Sequence, residues 1–262
     1  MKRLIAAVLL AVAVPVVQGQ APSAADFVSA PYPHDLVSAR RVDRLAWITY
    51  DEGKRNVFTA VAPAFTPVRL TSFMNDDGVD VTNLSVSADG SVAVFVRGHD
   101  QNRDGWVANP ASNPDGTERA IWAVRTNGAG PAMRLAELPS GAPVISPDGR
   151  FVLYVKDGQI YRMRVSTAPR LTPIDKGEQP FIKAWGQNSG PRWSPDGKKI
   201  TFVSNRVDHS YIGVYDVATR AVSYLAPDVD RDSSPTWSHD SARIAFIRRP
   251  GLAFGQQAHE GS

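Results

Sequence analysis

One short pattern constrains this chain more than any other feature. Residues 190–206, GPRWSPDGKKITFVSNR, read as strand, tight turn, strand. In Ser194-Pro195-Asp196-Gly197, proline fixes φ at the second position, aspartate suits the third, and glycine supplies a positive φ at the fourth. The residues that follow alternate, with Ile200, Phe202 and Ser204 on one face and Lys199, Thr201 and Val203 on the other. The pattern then recurs. Ser87-Ala88-Asp89-Gly90 precedes SVAVFVR, Ser146-Pro147-Asp148-Gly149 precedes RFVLYVK, and Ser238-His239-Asp240-Ser241 precedes ARIAFIR. Successive turn serines lie 59, 48 and 44 residues apart. The last two separations fit the ~40–50-residue period of a four-stranded propeller blade. The strand RLAWITY at 44–50 marks an earlier copy without the turn motif.

The expectation is therefore an all-β chain: a β-propeller of four-stranded antiparallel blades, incomplete at about four and a half blades. The blades are expected at 30–73, 79–137, 141–174 and 189–226, with the start of another at 233–249. Twenty glycines and twenty prolines suit many short strands joined by turns. The longer first spacing comes from an insertion at 98–119, rich in Asn, Asp, Pro and Gly, and a long loop on a rigid scaffold is where function often sits. Asp157-Gly158 signals a two-residue hairpin of type I′ character. An outer strand is expected at 170–173. Trp47, Trp122, Trp193 and Trp237 are expected in the core between blades, with a substrate platform as the other reading, and 228–232 in a solvated loop.

The first residues read as an address. Lys2 and Arg3 precede an apolar run at 4–17 that is short for a membrane span, and Val17-Gln18-Gly19 offers small residues for cleavage. Residues 1–19 are expected as a signal peptide and 20–29 as a leader, giving a soluble exported protein, periplasmic or secreted from a bacterium. No membrane attachment is expected after cleavage. Without residues 1–19, 27 Lys and Arg face 26 Asp and Glu, and no basic stripe with interleaved aromatics marks a nucleic-acid surface. The chain has no cysteine, so disulfides, thiolate metal sites and cysteine nucleophiles are excluded.

A hydrolase nucleophile elbow needs G-x-S-x-G, and the sequence contains no such pentapeptide. A catalytic serine would be expected once, not once per blade, so Ser87, Ser146, Ser194 and Ser238 are read as turn residues and no catalytic residue is assigned. His34, His99, His209, His239 and His259 fall in no ligand spacing. Asp100, Asn102 and Asp104 with Gly105 match the first half of a calcium loop, but the twelfth position holds Ala111 where an EF-hand needs glutamate. They are kept as a minority metal reading. No cofactor is expected.

Three segments carry a family resemblance: W193-S-P-D-G-K-K-I-T-F, S234-P-T-W-S-H-D-S-A-R-I-A-F-I-R-R-P-G251, and N109-P-A-S-N-P-D-G-T-E-R-A-I-W122 of the insertion. Together they resemble the propeller of the prolyl oligopeptidase family of serine peptidases. The exported dipeptidyl-peptidase-IV-like and acylaminoacyl-peptidase-like members are the nearest of these. The resemblance implies a non-catalytic propeller that gates and orients peptide substrates for an α/β-hydrolase domain. That domain would follow Ser262 and is the expected partner. No adjacent Glu-Glu pair is present, so the residues that hold a substrate amino terminus in dipeptidyl-peptidase-IV-like enzymes have no counterpart here. The same WSPDG hairpin occurs in the propeller of the periplasmic Tol-system protein, which implies the alternative of a module that binds protein partners or ligands.

Overall fold

The computed structural model describes residues 23, 30–138, 140–165 and 179–251. The expected signal peptide, the outer strand at 170–173 and the tail beyond Gly251 lie outside the described residues. Those that are described form strands, turns and loops, with no helix among them.

The first sheet has the order β1 (Tyr32–Ser38), β2 (Arg44–Asp51), β3 (Lys54–Val61), β4 (Val68–Arg69). The second follows with β5 (Val81–Val86), β6 (Val92–Arg97), β7 (Ala120–Arg125) and β8 (Met133–Glu137). The third contains β9 (Ser140–Ile145), β10 (Phe151–Lys156) and β11 (Gln159–Arg164). The fourth contains β12 (Gln187–Trp193), β13 (Lys199–Asn205), β14 (Ser210–Asp216) and β15 (Val222–Tyr224). A final hairpin, β16 (Arg231–Trp237) and β17 (Ile244–Arg249), joins the fourth sheet through one parallel bridge, Ser210 to Arg231. Within each sheet, sequential strands pair antiparallel. The first strands of successive sheets, β1, β5, β9, β12 and β16, also touch one another in turn. Sheets stacked side by side around a common line of first strands are the blades of a β-propeller. The propeller is open: among the described residues no ladder joins the first blade to β16 or β17.

The sequence pattern explains the stacking. An inner blade is covered on both faces, so its strands read as continuous apolar runs. In β6, Ala93 and Phe95 belong to a core shared with blade one, where they meet Ala46, Ile48 and Val57. Val92, Val94 and Val96 of the same strand belong to a second core with Val152, Tyr154 and Tyr161 of blade three. Leu153 and Ile160 then face a third core with Ile200, Phe202 and Tyr215 of blade four. Phe202 pairs with Gly213 across β13 and β14, and a Cβ at 213 would run into the Phe202 ring, so the ring occupies the space that glycine leaves. The last hairpin is attached differently. The buried Asp232 accepts both Nε and Nη2 of Arg248, at 2.7 and 2.8 Å. Asp232 was expected in a solvated loop. It is buried because β16 starts at Arg231 and turns that carboxylate toward Arg248 on the paired strand.

Asp157 and Gly158 both take positive φ, at 49° and 65°, and join β10 to β11 as a type I′ turn would. Glu52 and Gly53 do the same between β2 and β3, at 47° and 81°. Each first strand also carries a register shift against its neighbour. Asp35, Asn83, Gly190 and Ser234 sit at four of these shifts with φ between 52° and 57°, four residues before the turn in each case. Bulges of this kind bend a strand and re-aim its side chains.

Candidate functional site

The turn between the first two strands of a blade is built the same way four times. Ser87 Oγ donates to Asp89 Oδ1 at 2.5 Å, Ser146 to Asp148 at 2.6 Å, Ser194 to Asp196 at 2.6 Å and Ser238 to Asp240 at 2.5 Å. Each serine Oγ also accepts the backbone N–H five residues on, from Val92, Phe151, Lys199 and Arg243. The N–H of Gly90, Gly149, Gly197 and Ser241 closes the turn onto the serine carbonyl. All four of these residues have positive φ, from 62° to 74°, which is why glycine holds three of the places. Pro147 and Pro195 take the second position, which needs no N–H.

These bonds fix the charge state of the carboxylates. The Ser194 hydroxyl is the main influence on Asp196, and the Ser238 hydroxyl on Asp240; both hold the carboxyl below its ordinary value. At Asp89 and Asp148 burial is the largest effect and pushes upward. The hydrogen bonds from Ser87 and Ser91, and from Ser146 and Arg150, outweigh it, so both carboxyls still lie low. The motif is thus a set of ionised carboxylates held within their own turns.

The turns gather around a cavity of about 730 Å³ at one end of the propeller. Every blade contributes: Arg40 and Arg41 from the first, Ala88 from the second, Pro147 from the third, Arg192, Trp193 and Asp196 from the fourth, and Trp237 and Asp240 from the last hairpin. Trp193 and Trp237, expected in the core, are half-buried and line this cavity. Each sits immediately before its turn serine, at the end of a first strand, where a side chain borders both the opening and the neighbouring blade. Trp193 still packs on the third core, and Trp237 Nε1 donates to the Arg192 carbonyl at 3.2 Å. Trp122 packs on the first core, and Trp47 stacks on Phe58 at 5.9 Å within blade one.

The insertion lies at the other end. It leaves β6 at Gly98, a full strand length from the Ser87 turn, roughly 20 Å for six residues. None of its residues lines the cavity. Its base is fixed by Arg119, which is buried. Arg119 donates to the carbonyls of His99, Leu138 and Gly141 and to Asp100 Oδ1, the last at 2.7 Å. Within the loop, Asn102 Oδ1 accepts the N–H of Asp104 and of Trp106. Asp100 and Asn102 thus turn oxygens toward Arg119 and the loop backbone. Among the described residues no group of three His, Asp or Glu side chains is placed to hold an ion. Among them, too, no helix is long and apolar enough to cross a membrane.

No protein-family model matches the chain. An uncharacterized protein of Agrobacterium fabrum is 25% identical over 198 residues, which cover 71% of this chain and 64% of that protein. The chain therefore spans less than two thirds of the curated relative it matches. A solved structure from Bacteroides ovatus, described as a dipeptidyl aminopeptidase IV, superposes with a TM-score of 0.57 at 13% identity, covering 81% of this chain and 36% of that one. One of two prolyl endopeptidases analysed for inter-domain dynamics superposes with a TM-score of 0.52 at 12% identity, covering 78% of this chain and 31% of that one. At such identities the likeness is one of fold, the propeller, and in both cases it takes up about a third of a longer chain.

Proposed function

We propose that this propeller is the non-catalytic module of an exported serine peptidase, admitting peptides at the cavity ringed by the turns and orienting them for an α/β-hydrolase domain encoded beyond Ser262. The observation that carries the reading is the cavity itself. All five repeats end their first strands at it, and its wall combines two indoles with prolines and arginines, surfaces that suit an extended polypeptide. The four serines around it are held by aspartate and by backbone, without a histidine base, so the module's contribution is binding and access rather than bond cleavage. The basic, then apolar, start of the chain supports export to the periplasm or beyond.

The test has two parts. Purified chain is titrated with short unstructured peptides while the fluorescence of Trp193 and Trp237 is followed, and is assayed with dipeptidyl and acyl-aminoacyl chromogenic substrates. Saturable binding without turnover is expected. Turnover that survives repurification and is lost on mutating a residue of this chain would overturn the non-catalytic reading. A genomic sequence that continues past codon 262 into a G-x-S-x-G elbow supports the attached peptidase, and a stop codon there removes it.

A further inference from the structure

Blade one breaks the repeat at the cavity, and the break inverts a charge. Ala39 N–H donates to the Arg44 carbonyl at 2.9 Å, as Ser87 N–H donates to that of Val92. Position 41 is therefore the counterpart of Asp89, Asp148, Asp196 and Asp240, and it holds arginine. With alanine at 39 there is no hydroxyl for a carboxylate to accept, which explains the loss of the aspartate but not the gain of a cation. The Arg41 backbone is pinned to the Ala88 carbonyl at 2.9 Å, while its Nη2 reaches the Pro195 carbonyl of blade four at 3.5 Å, a long bond to a neutral acceptor. Arg40 and Arg192 line the same cavity and are exposed. Among the described residues none of these three guanidinium groups has a carboxylate at ion-pair distance, whereas Arg55, Arg97, Arg119 and Arg248 each do. The two carboxylates at the cavity are already engaged. Asp196 Oδ1 accepts Ser194 Oγ and the Lys198 N–H, and Asp240 Oδ1 accepts Ser238 Oγ and the Ala242 N–H.

We propose that the cavity selects peptides that carry carboxylates, with Arg41 leaving the Pro195 carbonyl to pair with one of them and Arg40 and Arg192 holding others. A guanidinium–carboxylate pair is about twice as strong as a neutral hydrogen bond and can be bidentate, so the exchange favours the acidic ligand. Cations lining a concave wall also raise the local concentration of anions. The indole and proline walls give a chain, rather than a bare anion, its remaining contacts. This inference rests on the peptide-module reading and adds the class of peptide.

The test titrates the purified chain with one short peptide in three forms, alternating proline with glutamate, glutamine or lysine, capped at both ends. Sodium phosphate and free glutamate serve as small-anion arms, and tryptophan fluorescence is the readout. The glutamate form is expected to bind roughly threefold to tenfold tighter than the glutamine form, and to lose that advantage as salt rises. Arg41→Gln, Arg40→Gln and Arg192→Gln are each expected to weaken it roughly twofold to fivefold with unchanged melting. Equal affinity for the glutamate and glutamine forms overturns the charge selection and leaves the peptide module standing. Binding by none of the three forms overturns both. Phosphate or free glutamate matching the acidic peptide in affinity overturns the peptide as the source of the anion.

Discussion

At the turn end of the propeller the same bonds are made four times, while the opposite end is held by ion pairs that no other blade repeats. The turns at Ser87, Ser146, Ser194 and Ser238 share one hydrogen-bond scheme, and neighbouring turns are linked directly, as where Asp196 N–H donates to Ser241 Oγ at 3.1 Å. The other end carries the insertion, with Arg119 buried at its base, Arg97 paired to both Asp77 and Glu118, and Arg55 paired to Asp80 at 3.0 Å. Highly exposed side chains also lie there, Trp106 at 75% and Trp185 at 78%. Repetition thus makes a row of equivalent turns on which one departure, Arg40-Arg41, stands out. The irregular end is anchored by a few side chains that no other blade repeats.

That contrast can be broken in several ways. Arg119→Ala should have the largest effect. It removes a buried cation and leaves the Leu138 carbonyl, also buried, without its donor, so a loss of about 3 kcal/mol is expected in denaturant unfolding. A loss below about 1 kcal/mol would show that the insertion is anchored elsewhere.

Next come the turn serines. Ser194→Ala removes, at a buried serine, the bond to Asp196 and the acceptor for the Lys199 N–H, and should cost about 1–2 kcal/mol. Ser87→Ala and Ser146→Ala should match it, because both serines are buried as Ser194 is and make the same two bonds. Ser238→Ala should cost less, since that turn is exposed. Unequal losses among the first three would show that the copies are equivalent in geometry but not in energy.

A smaller effect is expected from acid. The carboxyls of Asp89, Asp148, Asp196 and Asp240 lie below their ordinary value of 3.8 in the folded chain. Their contribution is therefore complete above about pH 4 and is lost as pH falls through the folded values. The melting temperature of Ser194→Ala, which has already lost the bond that lowers Asp196, should fall less between pH 5 and pH 2.5 than that of the parent. Parallel curves would separate the turn from the acid response. Smallest of all, Trp106→Ala at the loop tip should change stability by no more than about 0.5 kcal/mol. A larger loss would mean that the exposed indole has a partner.

How far each feature was legible depends on how local its cause is. The serine–aspartate turn closes within six residues, and the same residue types are needed each time, so its recurrence could be read directly. The continuous apolar runs of β6 and β10 followed from burial on both faces. The bulges of the first strands left a fainter trace. Asp35, Asn83, Gly190 and Ser234 are four different residue types, yet each is small or polar enough to accept positive φ, and each stands four residues before its turn. Aligning the repeats backward from the first turn residue, Ala39 in blade one and serine in the others, would have exposed them. The placement of Trp193 and Trp237 could not be read in this way. Strand alternation assigns a face, but whether the end of a strand meets a neighbour or an opening depends on where the next blade begins.

The sequence by itself determined the strand–turn–strand unit, its repetition and hence an all-β propeller, because these rest on backbone dihedrals and on bonds between near neighbours. Only the tertiary structure decided which irregularities come together. Arg41 and Pro195 are 154 residues apart in the chain and meet at one cavity because successive first strands run side by side around it. The insertion is carried to the far end because β6 runs away from its turn before the chain departs. Which end of a strand a loop leaves from is set by strand direction, and which side chains share a cavity is set by the stacking of blades through the three apolar cores.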